Sequence, residues 1–377
     1  MTTTTQEEYT PLIVFKESFQ SLKDPRRLSK GNILYSLEEI IFLTISASVC
    51  GCTAWTTIEE FGNLKTDWLR KFYPFKKIPS HDAISDFFSA LAPQAFSKCF
   101  FEWVQAVTER AKGKVVPIDG KTIRGAASLG GKYPQHIVSA FCAGNRLCIG
   151  QVEVAEKENE ITAIPALLDI LFLEGSIVTI DAMGCQKEIA KKIVEKKADY
   201  ILQVKDNQKY LKDQIEDIFN GTSLRCVSEK SAMGHGRIEK RICETIAVKD
   251  VYFQDREQWA KLNTLVRIQS FRTIKKTGVQ SQEYRYYISS LKPDATLLND
   301  AVRSHWSIEN NLHWELDVLY NEDGQLKKIG NSAQNSNIIN KVALGLIENE
   351  KTVIKTKPLK RLRAAHNDAY RELVLKL

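Results

Sequence analysis

Long apolar runs free of charge are missing from this chain. Its most apolar stretch, ILYSLEEIIFLTISASVCGCTAW, is cut by Glu38 and Glu39, which leaves less than the roughly 20 residues a membrane-spanning helix needs. A buried helix is expected there and a membrane span is not. Cysteines at metal-ligand spacing are missing too. The eight cysteines, at 50, 52, 99, 142, 148, 185, 226 and 243, form no Cys-x-x-Cys pair. Cys50 and Cys52 stand too close for a routine disulfide or zinc pair, so the set reads as small apolar side chains in a reducing cytoplasm. The segment MTTTTQEEYTPL carries neither the basic nor the apolar part of a leader peptide. Internal repeats and low-complexity tracts are absent. A strong charge imbalance is absent as well: 53 Lys and Arg against 46 Asp and Glu give a net charge of +7. That permits a nucleic-acid partner without demanding one.

What is present is a 377-residue chain, 43% hydrophobic, long enough for two or three domains with their own cores. Residues up to 112 read as mostly helical. Phe15, Phe19 and Leu22 fall at helical spacing. A strongly apolar helix is expected over Leu37 to Ala54 and another over Thr56 to Tyr73. In SHDAISDFFSAL, Ser80 or Asp82 is the expected cap and Ile84, Phe87, Phe88 and Leu91 share one face. The pattern changes after residue 112 to strand and helix in the order βββαβαβ, a mixed sheet with helices on its faces. Gly144-Asn145 is a hairpin turn in it. Between about 206 and 291 apolar and charged residues alternate, as in half-exposed antiparallel strands. One long helix follows over DATLLNDAVRSHWSIENNLHWELDVLY, then another through SNIINKVALGLIEN. The division expected is therefore a helical region 1–112, an α/β region 113–348 with a strand-rich insertion, and a basic tail 349–377.

Three acids stand out, each open to an ordinary reading. Asp119 in KVVPIDGKTIRG begins an Asp-Gly pair, which after a strand is usually a turn. Asp181 in GSIVTIDAMGCQ suits a helix cap. Glu309 in RSHWSIENNLHWELDV suits an exposed helix charge. Together they are two strand-end aspartates and a helix glutamate, and catalytic groups of mixed α/β sheets gather at strand ends. These are hard oxygen donors without nitrogen or sulfur, a set suited to Mg²⁺ or Mn²⁺. A pair of such ions can drive in-line displacement at a phosphodiester. His305, Glu309 and His313 share a helix face at four-residue spacing, a weak zinc pattern without a further ligand nearby. Trp306 and Trp314 are expected in the core, and Asp317 is placed two turns beyond Glu309.

The succession IDGKTIRG, IVTIDAMGCQ, DYILQVKDNQ, GHGRIEKR and RSHWSIENNLHWELDV with NEDG resembles the ISAs1 family of insertion-sequence transposases. That family includes the H-repeat-associated proteins and belongs to the IS4-related DDE transposases. The likeness runs from about Phe15 to Leu346. It implies a ribonuclease H-like core, a β-rich insertion before the glutamate and a helical N-terminal region, with Asp119, Asp181 and Glu309 as the catalytic and metal-binding acids. The broader group has a Tyr-Arg-Glu-Lys signature; here Val302, His305 and Leu316 stand at its tyrosine, arginine and lysine positions.

Lys121, Arg124, Lys205, Arg237, Lys240, Arg241 and His305 are the expected DNA contacts, and six Lys and Arg between Lys351 and Arg363 add a basic cluster. The expected activity is a cytoplasmic, Mg²⁺-dependent transposase that cuts the terminal inverted repeats of its element and joins 3′-hydroxyls to target DNA, as a homo-oligomer. The alternatives are a catalytically silent DNA-binding relic and a small-molecule phosphohydrolase.

Overall fold

The computed structural model describes residues 11–27, 33–107, 113–124, 135–155, 158–234, 236–254 and 256–377. The leader reading of the first ten residues, the close of the expected helical region at 108–112, and His235 of GHGRIEKR lie outside them. Six helices come first: α1 Pro11–Phe19, α2 Leu37–Val49, α3 Trp55–Leu64, α4 Thr66–Leu69, α5 His81–Ala90 and α6 Pro93–Val107. Ser36 and Glu39 close a capping box at the start of α2, and Ser80 caps α5. From Leu37 to Val49 every residue of α2 but Glu38 is buried, so the apolar stretch is a core helix.

The sheet region runs β1 Val115–Ile123, β2 Gln135–Cys142, β3 Leu147–Glu153, α7 Glu160–Ile170, β4 Ile177–Ile180, α8 Lys187–Glu195 and β5 Asp199–Val204. Next come α9 Lys209–Gly221, β6 Cys226–Gly234, β7 Arg237–Ala247, β8 Thr264–Ile274 and β9 Gln280–Ser289. All nine strands form one sheet, ordered β3-β2-β1-β4-β5-β9-β8-β7-β6. The pairs β1–β2 and β2–β3 are antiparallel, and β4 runs parallel to both β1 and β5. That is the mixed, ribonuclease H-like arrangement the sequence resemblance implies. The strand-rich insertion continues the same sheet, because β9 pairs with β5.

The chain then forms α10 Ala295–His305, a π-helical turn Glu309–His313, α11 Trp314–Tyr320, α12 Ser332–Asn349, α13 Lys357–His366 and α14 Asp368–Leu375. In the sheet, Ile118, Ala140 and Gly150 face α7, where Gly150 lies against Leu167 and Leu171. Thr179, Lys121, Ser139 and Gln151 face the opposite way, toward α10, α11 and α12. A single apolar core joins the N-terminal helices, the α7 face of the sheet and α12 to α14. The segment expected as a basic tail is folded: α13 and α14 pack on α2 and α12. Two of its cations are buried, with Lys360 beside Glu350 and Arg361 stacked on Tyr320.

Candidate active site

Asp119 does not end its strand, and the turn expected at Asp-Gly is not formed. β1 continues to Ile123 because its antiparallel pairing with β2 carries on, Asp119 opposite Ser139 and Gly120 opposite Val138. What ends at Asp119 is the pairing with β4, whose last partners are Ile118 and Ile180. Asp119 and Asp181 are thus the next residues on adjacent parallel strands, which stand about 4.8 Å apart. Asp181 does not cap α8, which starts at Lys187 with Gln186 in the cap position. Its Oδ1 instead accepts from the Met183 amide at 3.1 Å, fixing the carboxylate at the strand end.

Glu309 arrives from the helical layer above that strand edge. It opens the π-helical turn, in which the Trp314 amide donates to the Glu309 carbonyl five residues back. Such turns insert one residue into a helix and re-aim the side chains around them. His305 and His313 therefore do not join Glu309 in a ligand set. His305 Nδ1 lies 3.0 Å from Thr179 Oγ1 at the helix–sheet contact. His313 Nδ1 lies 3.6 Å from Asp119 Oδ2. Burial pushes His313 down to about 3, helped by Lys341 and Lys121, so it stands beside Asp119 as a neutral ring.

Charge ties the acids together. Burial first, then Glu160, Asp181 and Glu309, raise Asp119 to about 7. Burial and Glu160 also raise Asp181, against the Gly184 and Met183 amides and Lys205. Burial raises Glu309, while Arg285 opposes it. Among the described residues, no three His, Cys, Asp or Glu side chains stand together closely enough to hold a metal ion as placed. The fit to a divalent cation lies in the kind of donor and in the unneutralised negative charge around Asp119.

Glu160 escaped the sequence reading. It is the first residue of α7, behind the Asn159 cap, and one acid at a helix start carries no catalytic signal of its own. Its Oε1 lies 2.7 Å from His136 Nε2, and His136 Nδ1 lies 2.8 Å from Thr122 Oγ1. Glu160 comes this near Asp119 because residue 120 has no side chain: a Cβ there would meet Glu160 Oε1 at 2.1 Å.

The expected DNA contacts divide. Lys205 is exposed beyond β5, and its charge reaches Asp181. Arg124 is exposed after β1, its amide 3.3 Å from Asp323 Oδ1. Lys121 is not a free cation. Its Nζ lies 2.6 Å from Asp317 and 2.9 Å from the fully buried Glu322, tying β1 to α11. Burial pulls it down, but Glu322 and Asp317 outweigh that and hold it above the usual lysine range. His305 offers no charge to a phosphate, because burial pushes it down to about 4. Arg237, Lys240 and Arg241 lie on β7, four strands and so roughly 20 Å across the sheet from β4. Of these Arg237 is exposed, Lys240 pairs with Glu229 at 2.8 Å, and Arg241 is half-buried. Trp314, expected in the core, is 58% exposed, and Trp306 lies under Arg285, whose guanidinium is 4.8 Å from the ring centre.

The family described as "Transposase DDE domain" matches residues 110–345, and the one described as "DDE_Tnp_1-associated" matches residues 16–104. The "Putative transposase YncI" of Escherichia coli O157:H7 is 40% identical over 371 residues, 95% of each chain. The "H repeat-associated putative transposase YhhI" of Escherichia coli K12 is 37% identical over 345 residues, 89% of this chain and 90% of that one. A piggyBac transposase synaptic complex with hairpin DNA aligns over 98% of this chain and 81% of its own at 14% identity and a TM-score of 0.45, too weak a likeness to add to the assignment. With a family match across its sheet and site and full-length relatives at this identity, the chain belongs to the DDE transposase family.

Proposed function

We propose that this protein is a divalent-metal-dependent DNA transposase of the cytoplasm. It binds the terminal inverted repeats of its element, hydrolyses a phosphodiester at each end, and joins the freed 3′-hydroxyls to target DNA as a homo-oligomer. The observation that carries this reading is the β1–β4 register, which sets Asp119 and Asp181 side by side at one strand edge. The charge of Glu309 reaches Asp119 from the helix above. Asp119, Asp181 and Glu309 are the proposed holders of Mg²⁺ or Mn²⁺, which when bound supplies Lewis-acid polarisation of the scissile phosphate and lowers the pKa of the attacking hydroxyl.

The chain's own residues position and hold charge. Asp119 is fixed from both sides, by β2 pairing and by the His313 ring. Lys205 is the cation best placed to grip a backbone phosphate at the cleft, because it is exposed and already faces Asp181. Residues 1–112 serve as an accessory region and 113–348 as the catalytic one.

The test is nicking of a supercoiled plasmid carrying the element ends, with Mg²⁺, by wild type and Asp181→Ala. Wild type is expected to nick and join, and the variant to lose at least a hundredfold in rate. Equal products from both proteins would sink the proposal. Tight binding to the ends without cleavage by wild type would favour the DNA-binding relic.

A further inference from the structure

A second cavity, sharing no residue with the acids, lies between α3, α5, the 321–331 loop and one flank of α12. It is a cavity of about 400 Å³ lined by two lysines, His81, hydroxyl and amide side chains, and the apolar Ala54, Trp55, Leu326 and Ile329. None of its lining residues is a carboxylate, and none is Asp119, Asp181 or Glu309.

Its floor holds a cation without a counter-charge. Lys327 Nζ lies 3.8 Å from the centre of the Trp55 ring and 2.6 Å from Ser336 Oγ. Burial alone acts on it and pushes it down to about 7, with no acid near enough to oppose that. A covered ammonium with only a ring and a hydroxyl as partners is poorly compensated.

The cavity also holds unused donors. Tyr320 and Ser332 are 3% and 1% exposed, and neither hydroxyl has a hydrogen-bond partner among the described residues. The amide nitrogen of Gln325, also in the lining, has none either. Ser332 is the first residue of the 18-residue α12, whose cap residue Asn331 makes no side-chain cap bond. Asn331 instead donates to the Leu91 carbonyl. Ser332, Ser336 and Asn340, four residues apart on one face of α12, line the cavity beside Lys327. His81, also in the lining, is already paired with Glu59 at 2.6 Å, so the groups open to a ligand are the Tyr320 and Ser332 hydroxyls and the Gln325 amide, beside a lysine that lacks a counter-charge.

We infer that this cavity binds a phosphate group, held by Lys327, Tyr320, Ser332 and Gln325. The phosphate belongs either to a small phosphate ligand or to a DNA backbone that reaches this face. The site is independent of the transposase reading, since it shares no residue with the acids.

The test is calorimetric titration of the full-length protein with inorganic phosphate, at constant ionic strength set with chloride. Saturable binding to one site is expected. Lys327→Met, which keeps an apolar stem on Trp55, should weaken it at least tenfold, and Tyr320→Phe several-fold. Unsaturable heats, or equal affinity in wild type and Lys327→Met, would overturn the assignment and leave a water-filled cavity. Should Lys327→Met fail to fold, Tyr320→Phe decides alone, and unchanged affinity there overturns the inference. Once binding is seen, a competing DNA duplex separates the sources: displacement of radiolabelled phosphate assigns the group to a DNA backbone, and retention to a small ligand.

Discussion

Asp119 shows how burial and neighbouring charge turn one residue into a liability of the metal-free protein. Its carboxyl is raised from 3.8 to about 7. A carboxyl whose folded pKa lies above its unfolded value holds more protons when folded between those pH values. Stability from this group therefore falls as pH rises from about 4 to about 7, and the penalty stays above that. Asp119→Asn removes the charge, and we expect it to raise the stability of the metal-free protein at pH 8 by roughly 1–3 kcal/mol. At pH 4 the gain should vanish. Urea unfolding at the two pH values checks both, and a gain that is equal at both would refute the account.

Lys121 illustrates the opposite outcome. It follows Asp119 closely in sequence, which suggested a DNA contact, yet it is held by Asp317 and Glu322. Lys121→Met leaves Glu322, which is 0% exposed, without its cation, although the Asn337 side chain still donates to it. Removing one partner of a buried pair costs about 3–5 kcal/mol. The expected result is a lower urea midpoint with little change in the salt slope of DNA binding. A steep loss of salt-dependent DNA affinity in a fully stable variant would restore the phosphate role.

At the scale of elements, the π-helical turn decides where Glu309 points. Its extra residue turns the helix before it, Glu309 included, by about 100° relative to α11, which Lys121 and Asp317 anchor to β1. Deleting Asn311 should convert the turn to α-helix and swing Glu309 away from the strand edge. The expected variant keeps its circular dichroism but loses Mg²⁺-dependent nicking. Full activity in a folded deletion variant would show that the turn does not set the site. The strands were readable because apolar runs such as Ile177 to Ile180 stand between turn residues. The continuation of β1 past Asp119 was not, because Gly120 and Lys121 are poor strand formers in isolation. Pairing with β2 overrides that preference.

Across the whole molecule, α12 is the pivot. From Ser332 to Ile347 all its residues are buried, against α2, α5 and α6 on one side and β3 on another. The N-terminal helices and the sheet consequently share one core. Removing residues 1–112 should uncover α12 and leave a fragment that aggregates, with no cooperative transition in calorimetry. A soluble fragment with its own sharp transition would show that the catalytic region holds a core of its own.

The sequence by itself determined the βββαβαβ order from β1 to β5 and the capped start of α5, because these follow from local pattern along one chain. It also determined the family. Tertiary structure alone decided that Ile118 faces Ile180, that Gly120 lets Glu160 approach Asp119, and that Lys121 and His305 turn inward. Each of these depends on which residues distant in sequence meet across the sheet and on how much water they lose there. Charge and exposure in the folded chain, unlike residue type, are properties of that meeting.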